Sequence, residues 1–368
     1  MSKSTPNPPN LITPPAERIA ILDCWRGFAI FGILVVNIMA FSALNHNFEQ
    51  LTLNSSLWYD TLASHISSLF FESKFYIIFS FLFGIGFSVQ IESLAKKGVN
   101  INRFYTKRLA ILFAIGLIHA YFWWGDVLRL YAILGLGLLL CRNLSLKALL
   151  LLSALFLILA QIIAIFPNLF GEFDSPTAND TIFKTLYFAL IQMAPTAFAL
   201  FLLGRVVGKM GLLKNLADKK ALIKKVIVIG VIIWASLTGI LSLLSDPYSP
   251  MTTLPKTLSD MALSSVYLAV LGLLLVNHKL ALFTQSLANI GKLALSNYVL
   301  QTVICVFIFQ GLNYQNKVQT AGLLVIALMI FMGQMILSHF WVKYFHYGIL
   351  EWLWRSLTIG KWQMLMKS

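Results

Sequence analysis

Residues 24–43, CWRGFAIFGILVVNIMAFSA, form an apolar run whose only charge is Arg26. At about 1.5 Å per residue, twenty helical residues span the ~30 Å hydrocarbon layer of a bilayer. Backbone inside lipid must satisfy its own N–H and C=O groups, so such a run reads as a helix. Nine further runs follow at about 72–93, 105–124, 126–142, 146–166, 182–207, 222–244, 258–277, 292–310 and 319–343. The pattern predicts an all-α, polytopic membrane bundle of about ten transmembrane helices. The composition of the 368 residues, 58% hydrophobic and 11% charged with mean hydropathy +0.80, excludes a soluble globular domain, a disordered tail and a disulfide scaffold.

The net charge of +14 resolves by position. The N-terminus, 94–108, 142–147, 205–225, 278–292 and the C-terminal segment hold 22 of the 28 basic residues. By the positive-inside rule these segments and both termini are cytoplasmic. Nine of the 14 acids, among them Glu49, Asp60, Asp126, Glu172, Asp174 and Asp180, sit on or near the opposite side. The basic runs orient the chain. They lack the interleaved exposed aromatics of a nucleic-acid surface, so no nucleic-acid partner is expected.

Residues 1–19, Pro-rich and polar, read as a flexible cytoplasmic tail, 20–345 as the transmembrane domain, and 346–368 as a cytoplasmic amphipathic aromatic tail. The first apolar run is longer than a signal-peptide core and reads as a retained anchor. LWYDTLASHISSLFF (57–71) is suited to a helix lying on the outer leaflet. Cys24, Cys141 and Cys305 lie in or beside spans. They indicate neither a disulfide framework nor a metal site, and no metal is expected.

Polar groups inside spans usually pair or line a cavity. Asp23 and Arg26 share one helical face at the inner interface, suited to an ion pair or to an anionic ligand. Eleven residues on, ~16 Å higher, stands Asn37. His119 follows Arg108 by the same interval, so Asn37 and His119 share a depth. Just beyond His119, WWGDVLRLY supplies Trp124, Asp126 and Arg129 at a short outer turn. A carboxylate there orients an imidazole and holds the tautomer a general base needs, or else forms an interfacial pair with Arg129. His46 lies in the outer loop nine residues after Asn37. Gln192, Asn297, Tyr298, Gln301, Gln334, Ser338 and His339 are each suited to bonding between helices. FSFLFGIGF lacks the Lys and Ser/Thr of a phosphate loop, and Gly84 and Gly86 there indicate close helix packing. No nucleophile elbow or dinucleotide fingerprint occurs.

LDCWRGFAIFGILVVN (22–37), FESKF…FSFLFGIGF (71–87), RLAILFAIGLIHAYFWWGDVLRLYAILG (108–135), SNYVLQT (296–302) and FHYGILEWLWRSLTIGK (345–361) resemble, in order, the motifs of the YeiB-like family of bacterial inner-membrane proteins. The last motif usually reads Y-G-P-L-E-W-L-W-R; Ile349 replaces the Pro here. The opening motif also resembles the first helix of a wider membrane acyltransferase superfamily, which includes heparan-glucosaminide N-acetyltransferase and bacterial O-acetyltransferases of surface sugars. In the O-acetyltransferases an Arg is followed eleven residues later by a His. Here Arg26 is followed by Asn37, and the heparan enzyme likewise has Asn at that position, with its catalytic His in the first outer loop.

That resemblance implies that Arg26, with Arg108 at the same face, binds cytosolic acyl-CoA, acetyl-CoA first, as donor. Asn37 would help polarise the acyl carbonyl, and the base would be His119, oriented by Asp126, or His46. Trp124, Tyr298 and Gln301 are the candidate substrate-binding residues. The expected partners are membrane lipids, acyl-CoA and an envelope glycan, lipid or peptide acceptor, and a homo-oligomer is compatible with the sequence. Two other readings compete: a small-molecule transporter with His119, Asp126, Gln192 and Gln301 along its pathway, and a noncatalytic membrane partner presenting its aromatic C-terminal stretch.

Overall fold

The computed structural model describes residues 20–43, 57–166, 182–214, 216–244 and 252–367. The opening apolar run becomes α1 (Ala20–Ser42), with Cys24, Ala29, Ile30, Leu34, Val35 and Ile38 all buried. A helix apolar on every face needs neighbours on every face. Around α1 pack α3 (Lys74–Lys96), α10 (Thr253–Val276), α11 (Ala281–Lys292), α12 (Ala294–Val306) and α13 (Thr320–Tyr344). The closest approach is to α11. A Cβ on Gly27 would lie 1.9 Å from the Leu287 carbonyl oxygen, and one on Gly291 1.7 Å from that of Asp23. No other residue fits at either position.

A second layer is built on α3. It packs along α8 (Ala194–Lys209), where Gly84 and Gly204 face each other's helix, each with a Cβ position about 2 Å from a backbone oxygen. On α8 lies α6 (Leu146–Ile165), and α9 (Lys220–Ser242) pairs with α10. The span expected at 182–207 is one continuous helix, α7 (Ile182–Phe188) running into α8 through a π-turn at Ala189–Met193. Pro195 follows that turn; its ring nitrogen donates no hydrogen bond to the preceding turn, which accounts for the widening.

Among the described residues the fold is helical with no strand, and eight helical stretches are long and apolar enough to cross a membrane. The protein is therefore an all-α multi-pass membrane bundle. The expected spans at 105–124 and 126–142 form the hairpin α4 (Ile101–Phe122) and α5 (Leu128–Leu140), which stand outside those eight, α4 by its polar residues and α5 by its length. Arg103, Lys107, Arg108 and His119 lower the hydropathy of α4. The 13 residues of α5 reach only ~20 Å.

LWYDTLASHISSLFF forms α2 (Trp58–Phe70), with Trp58, Tyr59 and Leu62 exposed. Asp60 is buried on its other face and accepts a 3.0 Å bond from Ala321 N at the start of α13. At the opposite end of the bundle, α14 (Ile349–Ile359) lies against α4 and α12. The chain then turns at Gly360 (φ 79°) and runs back antiparallel to the end of α13, with Lys367 N donating to Tyr344 O at 2.8 Å and His346 N to Leu365 O at 2.9 Å. Residues 346–367 thus form a floor under the bundle.

Candidate functional site

The turn between α4 and α5 builds a buried polar network. His119, in the last turn of α4, places Nδ1 2.8 Å from Asp126 Oδ1 and Nε2 2.8 Å from Thr302 Oγ1 on α12. Asp126 precedes α5 and accepts from the backbone N–H groups of Leu128 (3.2 Å) and Arg129 (3.0 Å), so the helix start supplies its anion site. Arg129 Nε completes the shell at 3.1 Å, while its Nη1 donates to Ile182 O (3.0 Å) and its Nη2 to Thr185 Oγ1 (3.3 Å) on α7. His119, Asp126, Arg129 and Thr302 are each at most 5% exposed.

This arrangement sets the tautomer. With Arg129 and two backbone N–H groups around it, the Asp126 carboxylate is an acceptor, so Nδ1 of His119 is its N–H donor, and Nε2 is the ring nitrogen left facing Thr302. The Asp126–Arg129 pair is an ion pair, and a buried one; the sequence had suggested an interfacial position. Thr302 is a residue that sequence reasoning passed over, though it closes the SNYVLQT motif. It lies 183 residues from His119, and no local spacing signals that pairing.

Below the network runs a narrow cavity of about 200 Å³. At the basic face it begins among Arg26, Arg108, Lys292 and Arg355. Its walls are apolar, with Ile33, Leu82, Phe83, Phe87, Leu109 and Leu112 prominent, and it reaches Val127, Leu128 and Tyr298. The Tyr298 ring sits 4.9 Å from that of His119, one helical turn before Thr302. Two polar atoms on this lining, Tyr298 Oη and Gln90 Oε1, are buried with no hydrogen-bond partner among the described residues. Unpaired buried groups of that kind cost ~1–3 kcal/mol each, and a ligand that bonds them recovers it.

The cationic end is held by the floor. Arg108 stacks over the Trp354 ring at 3.5 Å, and Trp354 Nε1 donates to Arg108 O at 2.8 Å. Arg26 Nη1 lies 3.3 Å from Asp23 Oδ1, and its Nη2 rests 3.0 Å from the Cβ position of Gly86. Glu351, the one carboxylate of the lining, accepts from Leu295 N (2.7 Å), Ser296 N (3.1 Å) and Ser296 Oγ (2.5 Å), capping α12. Burial pushes its pKa upward, against the pull of those bonds.

The other residues singled out from sequence are distributed differently. Asn37 lies on the α1 face that carries Arg26 and Ile33, one turn beyond Ile33, half-buried and outside the cavity lining. Phe41, one turn further, stacks on Trp123 at 3.6 Å, and Trp123 N is bonded to His119 O, so α1 meets the end of α4 near this level. Trp124 packs beside Trp123, ring centroids 5.1 Å apart. Gln301 leaves the cavity entirely: its Nε2 donates to Gln334 Oε1 (2.8 Å) and Ile30 O (3.4 Å). Gln334 in turn donates to Asn297 O at 2.9 Å, and Asn297 to Ser338 Oγ at 3.1 Å. His46 lies outside the described residues.

Residues 207–361 match the family model described as "Protein of unknown function (DUF418)". The uncharacterized protein YxaH of Bacillus subtilis (strain 168) is 30% identical, covering 96% of this chain and 97% of its own length. The uncharacterized protein YeiB of Escherichia coli (strain K12) is 26% identical, covering 93% of this chain and 97% of its own. The chain belongs to the YeiB-like family. No solved structure matches it. The family model takes in Lys292, Tyr298, Glu351 and Arg355 of the cavity wall, and Thr302 behind Tyr298 on the same helix. Arg26 and Arg108 of the opposite wall, and the His119–Asp126 pair, lie before that match, in the part that the full-length YeiB-like relatives also span.

Proposed function

We propose that this YeiB-like protein is an acyltransferase of the bacterial inner membrane, moving an acyl group, acetyl first, from cytosolic acyl-CoA to a hydroxyl or amine acceptor at the opposite face. One observation carries the reading: a cavity leads from a cluster of cations, through apolar walls, to a tyrosine packed on a buried histidine–aspartate pair. Its shape suits an amphiphile with an anionic head and a slender arm. Arg26, Arg108, Lys292 and Arg355 suit the donor phosphates. Gln90 Oε1 and Tyr298 Oη are unmet partners for the arm and its thioester.

In this reading Tyr298 Oη donates to the oxygen that gains charge as the acceptor attacks the thioester carbonyl. The acceptor's proton passes to Thr302, whose own proton moves to His119 Nε2, and Asp126 stabilises the imidazolium. The new C–O or C–N bond forms, the C–S bond breaks, and the proton held on His119 balances the thiolate released. Asn37, further along the Arg26 face of α1, would meet the acyl oxygen as a second donor.

Purified protein incubated with radiolabelled acetyl-CoA and cell-envelope fractions tests this. Label transfer that is lost in His119→Gln while CoA binding persists is the expected result. Absence of both CoA binding and His119-dependent transfer overturns it. Solute accumulation in proteoliposomes lacking acyl-CoA would favour transport, although Gln301, one of the pathway residues in that reading, is committed to the contact with α13.

A further inference from the structure

The segment that returns to the end of α13 turns an alternating apolar face outward. Trp362, Met364 and Met366 are 69%, 77% and 65% exposed, while Gln363 and Leu365 between them are half-buried. A period of two is that of an extended strand. The inward positions hold it: Gln363 N donates to Ser356 Oγ at 3.1 Å, Gln363 O accepts from Trp352 Nε1 at 2.7 Å, and Leu365 O accepts from His346 N at 2.9 Å. Of the three tryptophans in the aromatic C-terminal stretch, Trp352 and Trp354 direct their indole N–H groups to backbone oxygens within the fold, those of Gln363 and Arg108. Trp362 stacks on Trp352, ring centroids 5.0 Å apart, and still presents most of its surface outward.

This face adjoins a surface that lipid covers. Met329, Met332, Ile336, Phe340 and Tyr344 follow one another at intervals of three or four residues along α13, and all are exposed. They form one stripe of a helix long and apolar enough to cross a membrane, and such a stripe on the outside of a bundle meets acyl chains. The stripe ends at Tyr344, where Lys367 N donates to Tyr344 O at 2.8 Å and Met366 stands opposite Phe345. The strand is thus fastened to α13 where that helix leaves the hydrocarbon at the basic face. Exposed Lys343 and Lys361 border the strand, and the only Asp or Glu between residues 335 and 368 is Glu351, which is engaged in capping α12. A tryptophan, flexible apolar side chains and bordering lysines without acids make up a segment suited to the interface of an anionic leaflet. Continuity with α13 favours lipid over a protein partner as the occupant.

We propose that residues 361–367 form a lipid-binding strand. Trp362, Met364 and Met366 enter the interfacial layer of the leaflet at the basic face, while Lys343 and Lys361 meet the phosphates of anionic lipids. The floor that carries Glu351 and Trp354 of the narrow cavity is thereby tied to the bilayer along this edge. This contact is independent of what the narrow cavity holds and of any acyl transfer.

The test uses full-length protein with Met364→Cys in a Cys141→Ser background, where the two remaining cysteines are buried. The new thiol is labelled with an environment-sensitive fluorophore, and the protein is placed in nanodiscs of phosphatidylcholine with or without an equal share of phosphatidylglycerol. Emission should be blue-shifted, and quenched several-fold more by a lipid spin-labelled just below its headgroup than by aqueous iodide. Phosphatidylglycerol should increase the lipid quenching, and Lys343→Glu combined with Lys361→Glu should abolish that increase. Met366→Cys, labelled in the same way, should respond alike and guards against a local effect of the first label. Emission open to iodide and indifferent to the spin-labelled lipid at both positions overturns the proposal, because the strand then faces the cytosol. Protection from both quenchers also overturns it, and assigns the face to a second copy or another protein. Lipid quenching that ignores phosphatidylglycerol overturns the part given to the lysines.

Discussion

Two polar networks meet α12 from different sides, and they differ in kind. On one side Asn297 and Gln301 join α13 through Gln334 and Ser338, an all-amide and hydroxyl ladder with nothing that titrates near neutrality. On the other side Tyr298 and Thr302 face His119, Asp126 and Arg129, a chain with an imidazole, the carboxylate bonded to it and a counter-charge. Both are buried and well bonded. Only the second ends at a cavity, which Tyr298 lines. The same helix therefore separates the network that joins α13 from the one that reaches the cavity by one residue of register, because Asn297 and Tyr298, or Gln301 and Thr302, point about 100° apart.

Substitutions on the two sides should separate activity from stability. His119→Gln should lower transfer ~10²–10⁴-fold while the thermal midpoint in detergent stays near that of wild type; equal loss of both would make His119 another rung of a ladder. Asp126→Ala should cost ~3–5 kcal/mol, because it leaves the Arg129 guanidinium buried without its carboxylate. Chemical unfolding in detergent reads this, and an unchanged midpoint would mean that Ile182 O and Thr185 suffice for Arg129. Tyr298→Phe removes a hydroxyl whose neighbour in the fold is the Val127 backbone, so stability should change by no more than ~1 kcal/mol. Transfer should nevertheless fall ~10²–10³-fold if that hydroxyl meets developing charge. A variant as active as wild type would take Tyr298 out of the chemistry.

Gln334→Leu should do the reverse, costing ~1–3 kcal/mol through stranded partners while sparing transfer by folded protein. A selective loss of transfer there would erase the contrast between the two sides.

The smallest effect concerns Glu351, which caps α12 for both networks. Its raised pKa means the folded protein holds this proton to higher pH than the unfolded chain does. Stability therefore declines as pH rises from the ordinary carboxylate range through the raised value. Thermal midpoints measured across that window should show the decline in wild type and not in Glu351→Gln; parallel curves would assign the slope to another group.

Legibility followed sequence separation. His119 and Asp126 are seven residues apart across a tight turn, and Asp126 and Arg129 three, so both contacts are close to local geometry. Asp23 with Arg26 is the same case. The ion pair of Lys74 with Asp260 (2.7 Å) and the contact of His119 with Thr302 connect helices far apart in the chain, and nothing local encodes them. In the sequence Lys292 is one cation of a basic segment, and Arg355 one cation of the aromatic C-terminal stretch. Their convergence on the cavity depends on how α11 and α14 are docked.

From the sequence alone follow the membrane environment, the helical class, the segregation of charge by face and the short-range pairings, because hydrophobic length, charge asymmetry and helical spacing are properties of contiguous residues. Tertiary structure decided which of two adjacent polar faces of α12 meets the cavity and which cations surround it. Those depend on rotation and register between helices. Both are set by close contacts such as Gly27 on Leu287 and Gly84 on Phe201, where ångström-scale packing selects one arrangement among many with the same hydrophobic pattern.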